Sequence, residues 1–456
     1  MKLEEIFGKK IGIFGYGVEG ESLVRYLAPK GVKDIAVFDE AEVSEDKKRE
    51  AEKIGVKLVI GPWDKIPEAD ISALDIAFRS PGVKRSRLDN ILPPKAGVTS
   101  LVNLFFANCK GRIIGITGTK GKSTTARLVS SILTAANQKN FIGGNIGNSP
   151  LDFLDEVQEK DFVILELSSF QLEDIKFSPQ IAVILPIFVD HLDYHENVED
   201  YLRAKSPICK FTSDDSIIIS SDQENSLKLI DGAKGRKFIF STQSEIENGC
   251  IMSGGDLFCR GEPGEKKFEG VGELSGRWKV PLVNLQAAFT LAYALGLDVK
   301  MDSVKEHFKK PEFRIDLVKE IEGIRFYNDS ASTNPISTIA AIETMDDETA
   351  LILGGSSKNL NYADLARRIS ESGKIVLVYL FGETAAEIAS ELEKAGSKKE
   401  TVVLGSLDEI FEDARKRKGR FKSLLFSPAS ASFDQFKNYR QRGDYFNSLV
   451  EKWQNI

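Results

Sequence analysis

Short β-branched runs alternate with helical patterns along most of this 456-residue chain, which confines it to parallel sheets joined by crossover helices. The pattern starts three times. The first block runs from an apolar strand at residues 10–14 through a glycine turn and a helix at 22–27 to a second strand at 35–39, with another strand at 76–78. A second block opens at 112–116 and adds strands at 162–166, 181–185 and 216–219. Its glycine-rich stretch 248–276 reads as a small β-meander, and a helix through 284–297 closes it. The third block has strands at 350–354, 375–380, 401–404 and 423–426, separated by charged amphipathic helices. The expected fold class is therefore α/β with three domains. These are an N-terminal Rossmann-like domain (1–105), a central domain that carries the β-meander and, from the strand, glycine turn and helix at 114–125, is of P-loop-type ATPase character (106–308), and a C-terminal Rossmann-like domain (309–456), with a linker near 95–110.

Composition narrows the function classes. With 42% apolar and 28% charged residues, every block can bury a core. A net charge of −7 argues against nucleic acid as a partner, because counterion displacement needs a basic footprint. Cys109, Cys209, Cys250 and Cys259 form no C-x-x-C pair or zinc spacing and are expected as free thiols. The opening residues lack a signal-type apolar run and no segment has the length of a membrane span, so a cytoplasmic chain without a membrane partner is expected.

The strongest local signal is the strand-turn-helix junction 114–125, which contains Gly118-Thr119-Lys120-Gly121-Lys122-Ser123-Thr124-Thr125. Backbone N–H groups in such a turn and at the helix start point at anionic oxygens, Lys122 adds a charge, and the Ser123 hydroxyl suits Mg²⁺. The strict G-x-x-x-x-G-K-[ST] spacing fails, because Ile116 stands where the first glycine belongs. A second loop, Gly15-Tyr16-Gly17-Val18-Glu19-Gly20, fits G-x-G-x-x-G after a strand, with Asp39 closing the next strand. Alone it reads as a dinucleotide site or a close-packed turn; beside an ATP loop, a different nucleotide ligand competes with both.

The 118–125 loop resembles the ATP loop of the Mur ligases, which share it with folylpolyglutamate synthetases. The resemblance is reinforced by Ser80-Pro81-Gly82-Val83, Gly143-Gly144-Asn145-Ile146-Gly147, Glu166-Leu167-Ser168-Ser169-Phe170-Gln171-Leu172, Asp190-His191-Leu192-Asp193 and the segment 427–437. Together these are similar to the family's D-glutamate-adding members. The resemblance implies an enzyme that uses ATP and Mg²⁺ to join D-glutamate to UDP-N-acetylmuramoyl-L-alanine through an acyl phosphate, in peptidoglycan precursor synthesis; a monomer is expected.

Matched position by position, it assigns Gly15, Tyr16, Gly17, Val18, Glu19, Asp39, Ser80, Pro81, Gly82, Asn145, Ser168 and Gln171 to the UDP substrate. It assigns Gly118, Thr119, Lys120, Gly121, Lys122, Ser123, Thr124, Asn284, Arg314 and Asp329 to ATP, and Thr333, Lys358, Ser432, Phe433 and Tyr439 to D-glutamate. Lys122, Glu166, His191 and Lys205 are the implied catalytic residues. Ser123, Glu166, His191 and a carbamylated Lys205 are the implied metal ligands. Glu166 also stands out on its own, since a carboxylate ending an apolar strand is costly unless it meets a cation.

The chain departs from its relatives where Ala331 replaces a lysine, Pro186 an asparagine and Ala287 a second helical asparagine. The lost lysine removes a charge that a neighbour such as Lys120 could supply. Three rival readings remain: another Mur-type or folate-lengthening ligase, a catalytically impaired nucleotide-binding homologue, and an NAD-dependent dehydrogenase resting on the first glycine loop alone.

Overall fold

The computed structural model describes residues 1–146, 148–188, 195, 197–241, 246–278, 280–308, 312–357 and 360–453. It divides into two compact units, Met1–Lys309 and Lys310–Ile456.

The first unit contains two sheets. One is built from β1 (Ile11–Phe14), β2 (Ile35–Asp39), β3 (Lys57–Ile60), β4 (Ile76–Arg79) and β5 (Gly97–Thr99) in the order β3-β2-β1-β4-β5. All its pairings are parallel. The order reverses at β1, so the carboxyl ends of β1 and β4 flank a crevice, the place where such sheets bind ligands. Residues 95–110 are not a loose linker. They hold β5 and the helix Leu101–Asn108, whose Leu101, Val102, Leu104 and Phe105 are buried.

The second sheet has nine strands: β6 (Arg112–Thr117), β7 (Asn140–Gly144), β8 (Phe162–Glu166), β9 (Ile181–Ile184), β10 (Ile217–Ser221), β11 (Arg236–Ser241), β12 (Gly249–Ser253), β13 (Asp256–Arg260) and β14 (Lys266–Phe268). Their order is β14-β13-β12-β11-β10-β9-β6-β8-β7. β6 is the turning point, with β8 on one side and β9 on the other. The expected meander is the antiparallel end of this same sheet: β12 pairs parallel with β11, and β13 and β14 follow antiparallel. It stops at Phe268, and Val271–Trp278 is helical. The near-continuous apolar strands reflect cover on both faces. Helices Lys122–Ala135 and Leu282–Ala294 pack on one face with Ile114, Ile116, Ile164 and Val183. On the other face Ile113, Val163 and Leu165 share a core that continues into the first sheet through Ile13, Val37 and Phe78.

The free-thiol expectation fails for two cysteines. Cys250 and Cys259 are cross-strand neighbours on β12 and β13 and form a disulfide, with Cα atoms 4.0 Å apart. Their spacing of nine residues looks like nothing in a linear reading, because only the hairpin register brings them opposite each other. Cys109 and Cys209 are free.

The second unit is one six-stranded sheet, with β15 (Asp316–Ile321), β16 (Ile324–Asn328), β17 (Thr349–Gly354), β18 (Ile375–Phe381), β19 (Glu400–Val403) and β20 (Ser423–Phe426). The order is β15-β16-β20-β17-β18-β19, with only the β15–β16 hairpin antiparallel. Loops after β16, β17 and β20 leave neighbouring strands at the same carboxyl edge. Among the described residues, no helix is long and apolar enough to cross a membrane.

Candidate functional site

At the carboxyl edge of the first sheet, the residues singled out in the first glycine loop come together. Tyr16 N–H donates to Asp39 Oδ2 at 2.6 Å, and Ser80 Oγ donates to the Gly15 carbonyl at 2.9 Å. A Cβ on Gly20 would lie 2.1 Å from the Gly15 carbonyl oxygen, so the close turn admits only glycine there. Pro81 and Gly82 form the turn that Val83 closes on the Ser80 carbonyl. Glu19 follows the exposed Val18 and accepts a 2.7 Å hydrogen bond from Gln171 Nε2. Gln171 in turn belongs to a capping box with Ser168.

Glu19 Oε2 is buried without a hydrogen-bond partner among the described residues. Burial pushes its carboxyl up to about 7, against the lowering influence of Gln171 and Arg79. A raised carboxyl favours folding only while protonated, so this contribution is full below the ordinary pKa and is lost as pH rises through about 7. Glu19→Gln keeps the hydrogen bond from Gln171 and is expected to shrink the fall in melting temperature between pH 6 and 8. An unchanged pH dependence in differential scanning fluorimetry would contradict this.

The phosphate-type loop lies between β6 and the helix Lys122–Ala135, with Gly121 at φ +84° as its N-cap. Lys122 Nζ donates to the Gly118 and Thr119 carbonyls, each at 3.0 Å, which holds the ammonium over the turn. Thr119 N–H donates to the Pro186 carbonyl at 3.1 Å, so the proline serves the loop through its backbone. Asn284 Nδ2 donates to the Gly121 carbonyl and to Thr125 Oγ1, both at 2.9 Å. A Cβ on Gly121 would meet that same nitrogen at 2.1 Å. Lys120 is exposed and Thr124 half-buried.

Ser123 Oγ donates to Glu166 Oε2 at 2.6 Å, and Asn145 Nδ2 donates to Glu166 Oε1 at 3.0 Å. Glu166 is 3% exposed, and among the described residues no cation pairs with it. Lys205, 1% exposed, reaches Thr117 Oγ1 at 3.3 Å and the Gly118 carbonyl at 3.4 Å, with its ammonium over the Tyr201 ring. Lys122 and Lys205 therefore touch the same loop carbonyl. A buried carboxylate met by a hydroxyl and an amide is a donor set that fits a hard divalent cation. Among the described residues no three His, Cys, Asp or Glu side chains form a metal-type group. His191 lies outside the described residues.

In the second unit, Asn328, Asp329 and Ser330 are buried at the end of β16. Ser427 Oγ donates to Asp329 Oδ2 at 2.6 Å, and Ile315 N–H donates to Oδ1 at 3.2 Å. Burial raises the Asp329 carboxyl to about 6, opposed by Ser332, Ser427, the Arg314 charge and Ile315 N–H. Phe313 and Ile315, which flank Arg314, both have positive φ, a strained state for bulky residues. Ser432 is buried, Thr333 and Tyr439 are half-buried, and Phe433 is exposed. Phe433 N–H donates to Ser356 Oγ at 3.1 Å. Ala331 N–H donates to the Phe313 carbonyl. Lys358 lies outside the described residues.

Residues 116–256 match the Mur ligase middle domain and residues 313–429 the Mur ligase glutamate ligase domain. The UDP-N-acetylmuramoylalanine–D-glutamate ligase of Acetivibrio thermocellus is 32% identical, covering 98% of this chain and 97% of that protein. The chain belongs to the Mur ligase family. A Clostridium kluyveri ligase of the same name is 33% identical, covering 97% of this chain and 96% of that protein. Among solved structures, Thermotoga maritima MurF in complex with ADP aligns at 16% identity and a TM-score of 0.57, covering 99% and 97% of the two chains. The UDP-N-acetylmuramate-alanine ligase MurC of the same organism aligns at 18% and 0.57, covering 98% and 99%. Both support a shared family fold.

Two buried groups in the first unit escaped sequence reasoning. Arg79, 1% exposed, ends β4, pairs with Asp174 and Glu173, and donates to the Val83 and Phe170 carbonyls. The signal was available, since a charge ending an apolar strand is what marked Glu166. His195 Nε2 lies 3.0 Å from Ser169 Oγ, and its ring stacks on Phe170. Nothing in its local sequence marks it.

Proposed function

We propose that this chain is an ATP-dependent ligase that joins D-glutamate to UDP-N-acetylmuramoyl-L-alanine. The observation that carries the reading is the convergence of Lys122, Lys205 and the Ser123–Glu166 pair on one glycine loop. The whole-length likeness to D-glutamate ligases supports the choice of substrates.

In this reading the first sheet, residues 1–105, binds the UDP substrate through Gly15–Gly20, Asp39 and Ser80-Pro81-Gly82, with Asn145, Ser168 and Gln171 from residues 106–308. Residues 309–456 bind D-glutamate through Thr333, Lys358, Ser432, Phe433 and Tyr439. ATP is assigned to the 118–124 loop with Asn284, and to Arg314 and Asp329. The substrate carboxylate attacks the γ-phosphoryl group, giving an acyl phosphate and ADP. Lys122 offsets charge gathering on the transferred oxygens. The amine of D-glutamate then attacks the acyl carbon, phosphate leaves, and the amine loses its proton to give the amide. Ser123, Glu166, His191 and Lys205 as a carbamate would hold Mg²⁺, which supplies charge neutralisation on the phosphates. The enzyme acts as a cytoplasmic monomer.

The test is phosphate release by the purified protein with Mg-ATP and UDP-N-acetylmuramoyl-L-alanine. The acceptors compared are D-glutamate, L-glutamate, L-alanine and none. Release is expected only with D-glutamate. Release with another acceptor would move the protein within the family, and none with any acceptor would favour a non-catalytic homologue.

A further inference from the structure

Arg442 lies on the helix Tyr439–Lys452 and is 0% exposed. Its guanidinium gives four hydrogen bonds, all to neutral oxygens. Nη1 donates to the Ser430 and Ala431 carbonyls at 3.0 and 2.8 Å, Nη2 to the Ser330 carbonyl at 2.9 Å, and Nε to Ser330 Oγ at 3.1 Å. Ser330 Oγ passes the connection on, donating to the Tyr439 carbonyl at 2.8 Å. Among the described residues no carboxylate lies within ion-pair distance, and Asp434 is the acidic group whose charge it feels. Burying a cation without a paired anion is expensive, and its removal from water pushes the guanidinium down to about 10. A neutral side chain would bridge two loops at lower cost, so a mere brace does not account for arginine here.

The atoms it grips are adjacent to the residues read above as the acceptor site. Ser330 precedes Ala331 and leads into Thr333; Ala431 immediately precedes Ser432 and Phe433; Tyr439 begins the helix of Arg442 itself. We propose that Arg442 is the positioning residue of the acceptor amino-acid pocket, joining its three chain segments through one fork; this rests on the function proposed above. Asp329, assigned to ATP, has separate anchors in Ser427 Oγ and Ile315 N–H. The two substrates therefore separate in their dependence on Arg442. A lysine keeps the charge but has one nitrogen, which cannot reproduce the planar fork.

The experiment is steady-state phosphate release by wild type, Arg442→Lys and Ser330→Ala, titrating each of the three substrates in turn. Arg442→Lys is expected to raise KM for D-glutamate about tenfold or more, with KM for ATP and the UDP substrate within about twofold, as displaced contacts weaken binding steeply. Ser330→Ala, which loses one fork acceptor and the tie to Tyr439, shifts the same KM in the same direction by less. It decides the matter should Arg442→Lys fail to fold. A folded Arg442→Lys with wild-type KM for D-glutamate, or with all three KM values rising together, overturns the inference alone. A wild type without D-glutamate dependence overturns the reading of function and the inference with it.

Discussion

Lys122→Ala is expected to lower ATP-dependent phosphate release by about 10²–10³-fold, the usual cost of losing one preorganised charge or donor at a developing anion. Its ammonium bridges the Gly118 and Thr119 carbonyls and sits where phosphoryl oxygens would enter. The loop's shape has other supports: Asn284 on the Gly121 carbonyl, Lys205 on that of Gly118, and Pro186 on Thr119 N–H. The variant should therefore fold and still bind the UDP substrate, which is proposed above to use the first sheet. Isothermal titration for the UDP substrate and rapid-quench measurement of ADP formation would check both halves. Near-normal turnover would remove the phosphate role from this loop.

Asp329→Asn is expected to make the protein more stable and less active. The carboxyl titrates at about 6 against an ordinary 3.8, so its favourable contribution to folding is full below about 4 and is lost as pH rises through about 6. At pH 8 the buried charge costs about 3 kcal/mol, taking about 1.4 kcal/mol per unit, an order-of-magnitude figure. Asparagine retains an oxygen acceptor for Ser427 Oγ or Ile315 N–H and removes the charge. Its melting temperature should exceed the wild type's at pH 8 by several degrees and converge with it near pH 4. Phosphate release should fall by about 10²-fold if the charge serves ATP. A variant destabilised at pH 8 would show that the carboxylate is a structural anchor.

Central strands were legible because both faces are covered and the runs are apolar: β2, β8 and β20 begin and end where the residue pattern puts them. The edges were not. β3 begins with an exposed lysine, β7 is Asn-Phe-Ile-Gly-Gly, and β15 mixes charges with an exposed Leu317 and a half-buried Val318. An edge strand needs only one neighbour and one covered face, so its sequence is free to look like a loop. The helix inside the expected linker is short, at 8 residues, and has no charged face to mark its period, while Leu101, Val102, Leu104 and Phe105 carry the packing.

For the candidate site, short-range patterns exposed both glycine loops and the strand-ending Glu166. Long-range pairing stayed hidden. Arg442 sits 112 residues from Ser330, and nothing within its own helix says that it is buried. The Cys250–Cys259 bond needed a hairpin register, and Asp329 needed Ser427, which follows β20 and lies 98 residues later.

The contact between Asn284 and the space above Gly121 also bears on how this chain can diverge. The amide occupies the volume a Cβ would need, so a larger residue at 121 must await a smaller one at 284, and each single step passes through a clash or a lost bond. Ala287 lies one turn further along the same helix, packed among apolar side chains. Position 287 carries no such constraint, whereas Asn284 is held in place by the glycine whose free volume it fills.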